Sequence, residues 1–305
     1  MSSLDRALTE TAELDRALSE TAEAVSSLLS ELLPPVEGPI GRVVEAMRYG
    51  ALGGGKRLRP FLVVESAGLF DAPREGALRA GAALEMVHCY SLIHDDLPAM
   101  DDSDLRRGRP TAHKAFDEAT AILAGDGLLT EAFAVLADPR TSPDPAVRVA
   151  LVAGLAAAAG AAGMVGGQMI DLSPERASLD LDGITNLQRL KTGALITFAC
   201  EGGAILGGAG AAERAALIDY AGDLGLAFQI VDDLLDAQGS AAELGKPTGQ
   251  DAALGKATFV GQLGLDGARA KAEQLVERAC ARLDLFGRKA DLLRNAALFV
   301  LERRS

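Results

Sequence analysis

EGALRAGAALEMVHCYSLIHDDLPAMDDSD, residues 75–104, is the stretch on which the reading of this chain turns. Leu78, Ala82, Met86 and Cys89 recur at helical spacing, with Val87 and Tyr90 beside them. Pro98 breaks that helix just after Asp95 and Asp96. Asp95, Asp96, Asp101, Asp102 and Asp104 then crowd into ten residues. Their mutual repulsion is costly unless cations bind. Aspartate oxygens are hard ligands suited to Mg2+, which keeps water or a substrate phosphate in its remaining positions. The bland alternative is a solvated acidic loop at a helix end.

Working outward, the helical period repeats. Helices are expected up to Leu33 and over Ile40–Tyr49, Arg59–Leu69, Glu75–Ile93, Ala115–Leu136 and Pro145–Ala162. Further ones are expected over Ile184–Leu206, Glu213–Asp236, Gly267–Asp284 and Lys289–Glu302, with Gly, Pro, Ser and Asp between them. Alanine supplies roughly one residue in five or six, above ordinary usage, and has the best helix propensity. Aromatic residues are only 4%, so strand formers are sparse. The 305 residues show no dividing linker. The expectation is an all-α, large single-domain helical bundle. Residues 1–37 form an N-terminal helical extension, with the main domain over 38–305. The extension holds a tandem repeat, LDRALTETAE at 4–13 and LDRALSETAE at 14–23. A ten-residue step rotates the apolar face by roughly 80°, so the copies cannot share one straight stripe. A duplication that lengthens the first helix or leaves a frayed end explains it.

A net charge of −13 repels DNA, RNA and anionic lipid, which argues against a nucleic-acid partner. Cys89, Cys200 and Cys280 have no spacing for a disulfide framework or structural zinc. No run reads as a membrane span; the longest, Leu151 to Val165, is mostly alanine and glycine. No signal-peptide pattern stands at the N-terminus. A cytoplasmic protein without stable membrane insertion is expected.

A second acidic element is QIVDDLLD, residues 229–236. Asp232 and Asp236 are i,i+4 neighbours on a mostly apolar helix, and Asp233 lies i,i+4 from Gln229. Such carboxylates need partners or a metal. Basic knots accompany the two acidic elements: Arg106-Arg107-Gly108-Arg109, Lys56-Arg57-Leu58-Arg59, Lys191-Thr192-Gly193 and Lys246-Pro247. Arginine binds phosphate bidentately and lysine as a point charge. Gly50 to Lys56 mimics the front of a phosphate loop, but Arg57 stands where Ser or Thr should hold Mg2+ and no strand precedes it. His94 beside Asp95 hints at a metal-dependent phosphohydrolase, yet the histidines have no clear ligand spacing.

From about residue 38 onward the chain resembles the trans-isoprenyl diphosphate synthases. GGKRLRP at 54–60 is similar to that family's GGKRxRP, and Asp95 to Asp101 to its first Asp-rich motif. Arg106-Arg107-Gly108, Gly167-Gln168 with Asp171, Lys191-Thr192-Gly193, Phe228-Gln229 and DDLLD at 232–236 follow in family order, as do Gly245-Lys246-Pro247, Asp251 and Gly255-Lys256. The repeat is outside the family pattern, and Phe259-Val260 departs from a Tyr-Pro that near relatives often carry. The resemblance implies an isoprenoid synthase bundle with a central cavity, a homodimer, and about three Mg2+ per active site. It implies metal binding by Asp95, Asp96, Asp101 and Asp232, supported by Asp233 and Asp236. Arg106, Lys191, Thr192, Gln229, Lys246 and Lys256 would clasp an allylic diphosphate. Lys56, Arg59, His88 and Arg107 would hold isopentenyl diphosphate. The family sets product length with side chains before the first Asp motif, here Tyr90, Cys89 and Met86; the large Tyr90 favours the C15 product, with C20 or C10 as alternatives. Catalysis would then fall to Asp95, Asp96, Asp101, Arg106, Lys191 and Asp232. A terpene cyclase is disfavoured by DDLLD and by Lys56 with Arg59, and a non-catalytic subunit by retention of both Asp motifs.

Overall fold

The computed structural model describes residues 3–238 and 256–303. Helix α1 spans Ser3–Leu32, α2 Gly41–Ala51, α3 Leu58–Gly68 and α4 Arg74–Asp95. A two-residue hairpin follows, β1 Leu105–Arg106 against β2 Arg109–Pro110. Arg107 and Gly108 turn it at φ 52° and 74°, the left-handed pair that matches strand twist in a tight hairpin. Then come α5 Ala112–Ala115, α6 Glu118–Ala137, α7 Pro145–Ala159 and α8 Met164–Asp171. After α9 Leu181–Gln188 the chain continues through α10 Ala194–Leu206, α11 Ala211–Gln238, α12 Phe259–Arg282 and α13 Asp291–Glu302. The chain is an all-α bundle.

Helices α3, α4, α10 and α11 form its centre, with α6 against α4 and α12 against α11. Alanine and glycine let these axes approach closely, as at Ala80, Ala82 and Ala83 on α4, all fully buried. Phe61, Phe198 and Tyr220 fill the wider gaps, and the Tyr220 hydroxyl donates to the Leu293 carbonyl at 2.7 Å.

Several expected boundaries shift for local reasons. The stretch after Ala159 is not one helix with its predecessor. Gly160 and Gly163 take extended and irregular backbone, and a separate helix α8 starts at Met164. The single helix expected over Ile184–Leu206 contains a π-turn, Arg189–Gly193, between α9 and α10. Helix α12 begins at Phe259 rather than Gly267, because Thr258 caps it by accepting from Gly261 N; Gly264, at φ 71°, kinks it.

Two stretches, Glu118–Ala137 and Pro145–Asp171, do have the length and mean hydropathy of a membrane span, contrary to expectation. The first is α6, whose Ala121, Ala124, Leu128 and Ala132 are buried in the bundle. The second is interrupted between α7 and α8.

The tandem repeat lies within one continuous α1. Its second copy docks, with Leu14 2% exposed and Thr21 1%, and the helix continues through Val25 and Leu29, fully buried; α1 packs on α3, α4 and α13. Leu14→Ala is therefore expected to cost about 2–5 kcal/mol. Deleting residues 4–13 leaves that docking sequence in place and should leave the melting temperature unchanged. Thermal denaturation of the two variants checks both outcomes.

Candidate active site

Two adjoining cavities open in the middle of the bundle. One, of about 300 Å3, is lined by Tyr90, His94, Asp95, Met169, Lys191 and Leu195. The other, of about 550 Å3, is lined by Lys56, Arg59, Arg107, Gln229, Phe299 and Arg303. Arg59, His88, Leu92 and Thr192 line both, so the chambers share a wall. The first is mostly apolar below a charged rim, and the second is strongly cationic.

The first Asp motif sits where α4 ends. Asp101 N donates to the Asp95 carbonyl at 2.9 Å and Ser103 N to that of Asp96 at 3.2 Å, which curls the loop back on the helix. Asp96 is 3% exposed and takes Arg106 Nε and a second guanidinium nitrogen at 2.9 and 2.7 Å. This bidentate pairing joins the hairpin to the end of α4. Asp95 stays on the cavity wall. Burial, opposed by Lys191 and reinforced by Asp101, pushes its carboxyl up to about 6.

On the opposite side, Asp232 accepts from Gln229 Nε2 at 3.2 Å and pairs with Arg303. Asp233 accepts from the backbone N of Phe259 at 2.8 Å, which ties α11 to the start of α12. Asp236 is 8% exposed. Among the described residues no three His, Cys, Asp or Glu side chains converge as a ready-made metal cage. The donor set nevertheless suits Mg2+: hard carboxylate oxygens, one of them desolvated and repelled by its neighbours, beside cations placed for phosphate oxygens. Mg2+ commonly completes its shell with water and substrate phosphate, so a closed protein cage is not needed.

Lys191 occupies the π-turn, a distortion frequent at functional sites. Its Nζ donates to Asp171 Oδ2 at 2.5 Å, and Arg176 holds the other Asp171 oxygen at 2.8 Å. The turn fits only because α8 presents Gly167: a Cβ there would lie 2.2 Å from Lys191 N. His88 is pulled well below its ordinary pKa by burial and by Arg59, Arg107, Arg106 and Arg57, so it is neutral at pH 7. Arg107 donates to the Gly54 carbonyl. Lys56 lies over the Phe299 ring at 5.3 Å. Lys256 is half-buried just ahead of α12, and Lys246 lies outside the described residues.

The three residues expected to set product length separate. Tyr90 lines the apolar chamber and meets the His94 ring edge-on at 5.6 Å. His94 bonds the Ile122 carbonyl through Nε2 at 3.0 Å and packs on Gly125, where a Cβ would lie 2.1 Å away. It is a brace between α4 and α6. Cys89 faces a separate small cavity of about 60 Å3 behind Asp96, and burial pushes its thiol up to about 12. Met86 is fully buried in the core. Sequence reasoning missed Arg303 and Glu85, and took Arg57 as one more cation of a basic knot, whereas it pairs with Glu85. The only signal for Glu85 was a charge inside the apolar face of α4.

A carboxyl with a raised pKa opposes folding where it is ionised. Asp95 makes no such contribution below pH about 4, where it is protonated in both states, and its full contribution above pH about 6. In chelator-treated protein, Asp95→Asn should therefore raise the melting temperature by a few degrees at pH 8 and leave it unchanged at pH 4. Equal shifts at both pH values would contradict the desolvation of Asp95.

Residues 41–285 match the family model described as Polyprenyl synthetase. The chain is 48% identical to a farnesyl diphosphate synthase of Escherichia coli over 82% of its own length and 85% of the relative's. It is 43% identical to the farnesyl diphosphate synthase of Geobacillus stearothermophilus over 92% and 93%. The apo crystal structure of an FPP/GFPP synthase from Zymomonas mobilis superposes with a TM-score of 0.87 at 49% identity, covering 95% of this chain and 99% of that one. The bundle thus has the isoprenoid synthase fold, and the chain belongs to the polyprenyl synthetase family.

Proposed function

We propose that the protein is a Mg2+-dependent prenyltransferase that joins isopentenyl diphosphate to dimethylallyl and geranyl diphosphate, giving farnesyl diphosphate. The observation that carries this reading is the paired cavity: a cationic chamber sharing a wall with an apolar chamber that has Asp95 and Lys191 on its rim. Two diphosphates can be held side by side there, with a hydrocarbon chain directed into the apolar space.

In this reading Lys56, Arg59, Arg107 and neutral His88 bind the isopentenyl diphosphate group. Arg106 and Lys191 bind the allylic diphosphate, joined by Thr192, Gln229, Lys246 and Lys256. Arg106 is pinned by Asp96 and Lys191 by Asp171, so both cations are oriented before substrate arrives. Asp95, Asp101 and Asp232 would hold Mg2+, with Asp233 and Asp236 behind them, and bound Mg2+ supplies charge neutralisation of the leaving diphosphate. The allylic C1–O bond breaks and its electron pair leaves with diphosphate. The isopentenyl double bond supplies the pair for the new carbon–carbon bond at C1, and a proton is lost to the departing diphosphate. The apolar walls keep water from the allylic cation. Tyr90, braced by His94, closes the chamber and limits chain growth.

A homodimer accords with the exposed side of α6, where Ile122 and Leu123 are 44% and 56% accessible on a helix of high mean hydropathy.

Incubation with Mg2+, isopentenyl diphosphate and C5, C10 or C15 primers is expected to give C15 as the longest main product, with release of diphosphate. Absence of elongation from every primer would falsify the proposal. Tyr90→Ala should shift the product to C20 or longer by chromatography, and Cys89→Ala, at the small cavity behind Asp96, should not. Asp95→Ala should lower Mg2+-dependent turnover by at least 100-fold.

A further inference from the structure

We infer that Arg57 and Glu85 form a buried clasp that positions the isopentenyl diphosphate chamber without touching its ligand. The inference rests on the assignment of that chamber to isopentenyl diphosphate. Lys56 and Arg59 line the chamber from the start of α3, and the loop that delivers them has an improbable backbone. Gly54, Gly55 and Arg57 all have positive φ, at 82°, 127° and 49°. The first two are glycines, for which this is easy. Arg57 is not, and a non-glycine residue keeps such a conformation only where its surroundings hold it.

Those surroundings are specific. The Arg57 side chain is 1% exposed and that of Glu85 4%. One terminal nitrogen of Arg57 donates to Glu85 Oε1 at 2.7 Å, and the other to the Ala51 carbonyl at 2.6 Å. Ala51 is the last residue of α2, where a cation meets the negative end of the helix. The Arg57 carbonyl accepts from Phe61 N at 3.0 Å, in the first turn of α3. One residue therefore ties α2, α3 and α4 together, next to Lys56 and two residues before Arg59. The loop's other tether is Arg107, through the Gly54 carbonyl. Arg107 lines the same chamber and is a diphosphate ligand in the proposed function, so its grip on Gly54 competes with substrate. The Arg57–Glu85 clasp is sunk in the wall of that chamber, with Arg57 already spent on Glu85 and the Ala51 carbonyl, so it does not compete.

Glu85 gives the test a clear sign. It is the one carboxylate among the described residues of the cationic chamber wall. If it acted only as a nearby charge, Glu85→Gln would strengthen diphosphate binding by removing repulsion. If it holds Arg57, and through it Lys56 and Arg59, the same change weakens binding. Steady-state kinetics of Glu85→Gln should show KM for isopentenyl diphosphate raised at least fivefold, with KM for geranyl diphosphate within twofold. Arg57→Lys keeps the charge but loses the two-pronged grip, and should show the same split. An unchanged or lowered KM for isopentenyl diphosphate, or an equal rise for both substrates, overturns the clasp. Glu85→Asp, which keeps the charge and shortens the reach, serves if the glutamine variant does not fold. Collapse of all three variants, seen by circular dichroism, would make the pair a stability element and likewise overturn the inference. Lys56→Ala is the control: if it leaves KM for isopentenyl diphosphate unchanged, the chamber itself is misassigned. If it raises that KM and the clasp variants do not, the clasp alone fails.

Discussion

Arg106 binds a carboxylate that is almost wholly buried, and the rest of the site is built around that pairing. Asp96 is 3% exposed, and Arg106 closes on it with two nitrogens. The hairpin that carries Arg106 is thereby fixed to the end of α4, and Arg107, next along, is carried to Gly54. The same pattern recurs where Lys191 meets Asp171, where Arg57 meets Glu85 and where Arg303 meets Asp232. Four of the cations around the cavities, Arg106, Lys191, Arg57 and Arg303, are thus each paired with an acid brought in by the fold. A chain of net charge −13 can therefore present an interior that favours anions. The average surface is acidic, but cationic groups line the larger chamber.

The helical architecture was legible because period and composition agreed along the chain. Alanine-rich segments with apolar residues three and four apart have few alternatives to a close-packed bundle. Boundaries failed where one glycine mattered more than the pattern. Gly160 and Gly163 end α7 and allow α8, and Gly264 kinks α12, which starts at Phe259 rather than at the expected Gly267. The π-turn was invisible because its cause is tertiary: Gly167, more than twenty residues earlier, clears the space for it.

The site was legible where chemistry is concentrated in sequence, as with five aspartates after a helix or three cations in GGKRLRP. It was not legible where a charge is spent on another charge. Asp96 is indistinguishable from Asp95 until Arg106 is seen to claim it. Cys89 and Tyr90 are adjacent in sequence, but a helix turns about 100° per residue, so they face different cavities. Arg303, near the C-terminal end, carried no motif at all.

The π-turn at Arg189–Gly193 makes the spacing of this region unforgiving. It is in effect one residue inserted into a helix, and it sets the rotation of everything after it. Losing a residue there would restore regular helix and swing Leu195, Phe198 and Ala199 around by about 100°, off the core they fill. Length changes along this stretch should therefore be rare in viable variants, while substitutions on its outer face are tolerated. The first helix differs, since its buried Leu14 and Thr21 belong to the second copy of a ten-residue repeat within one continuous helix. Repetition of sequence is compatible with α1, whereas the π-turn makes length itself a part of the site.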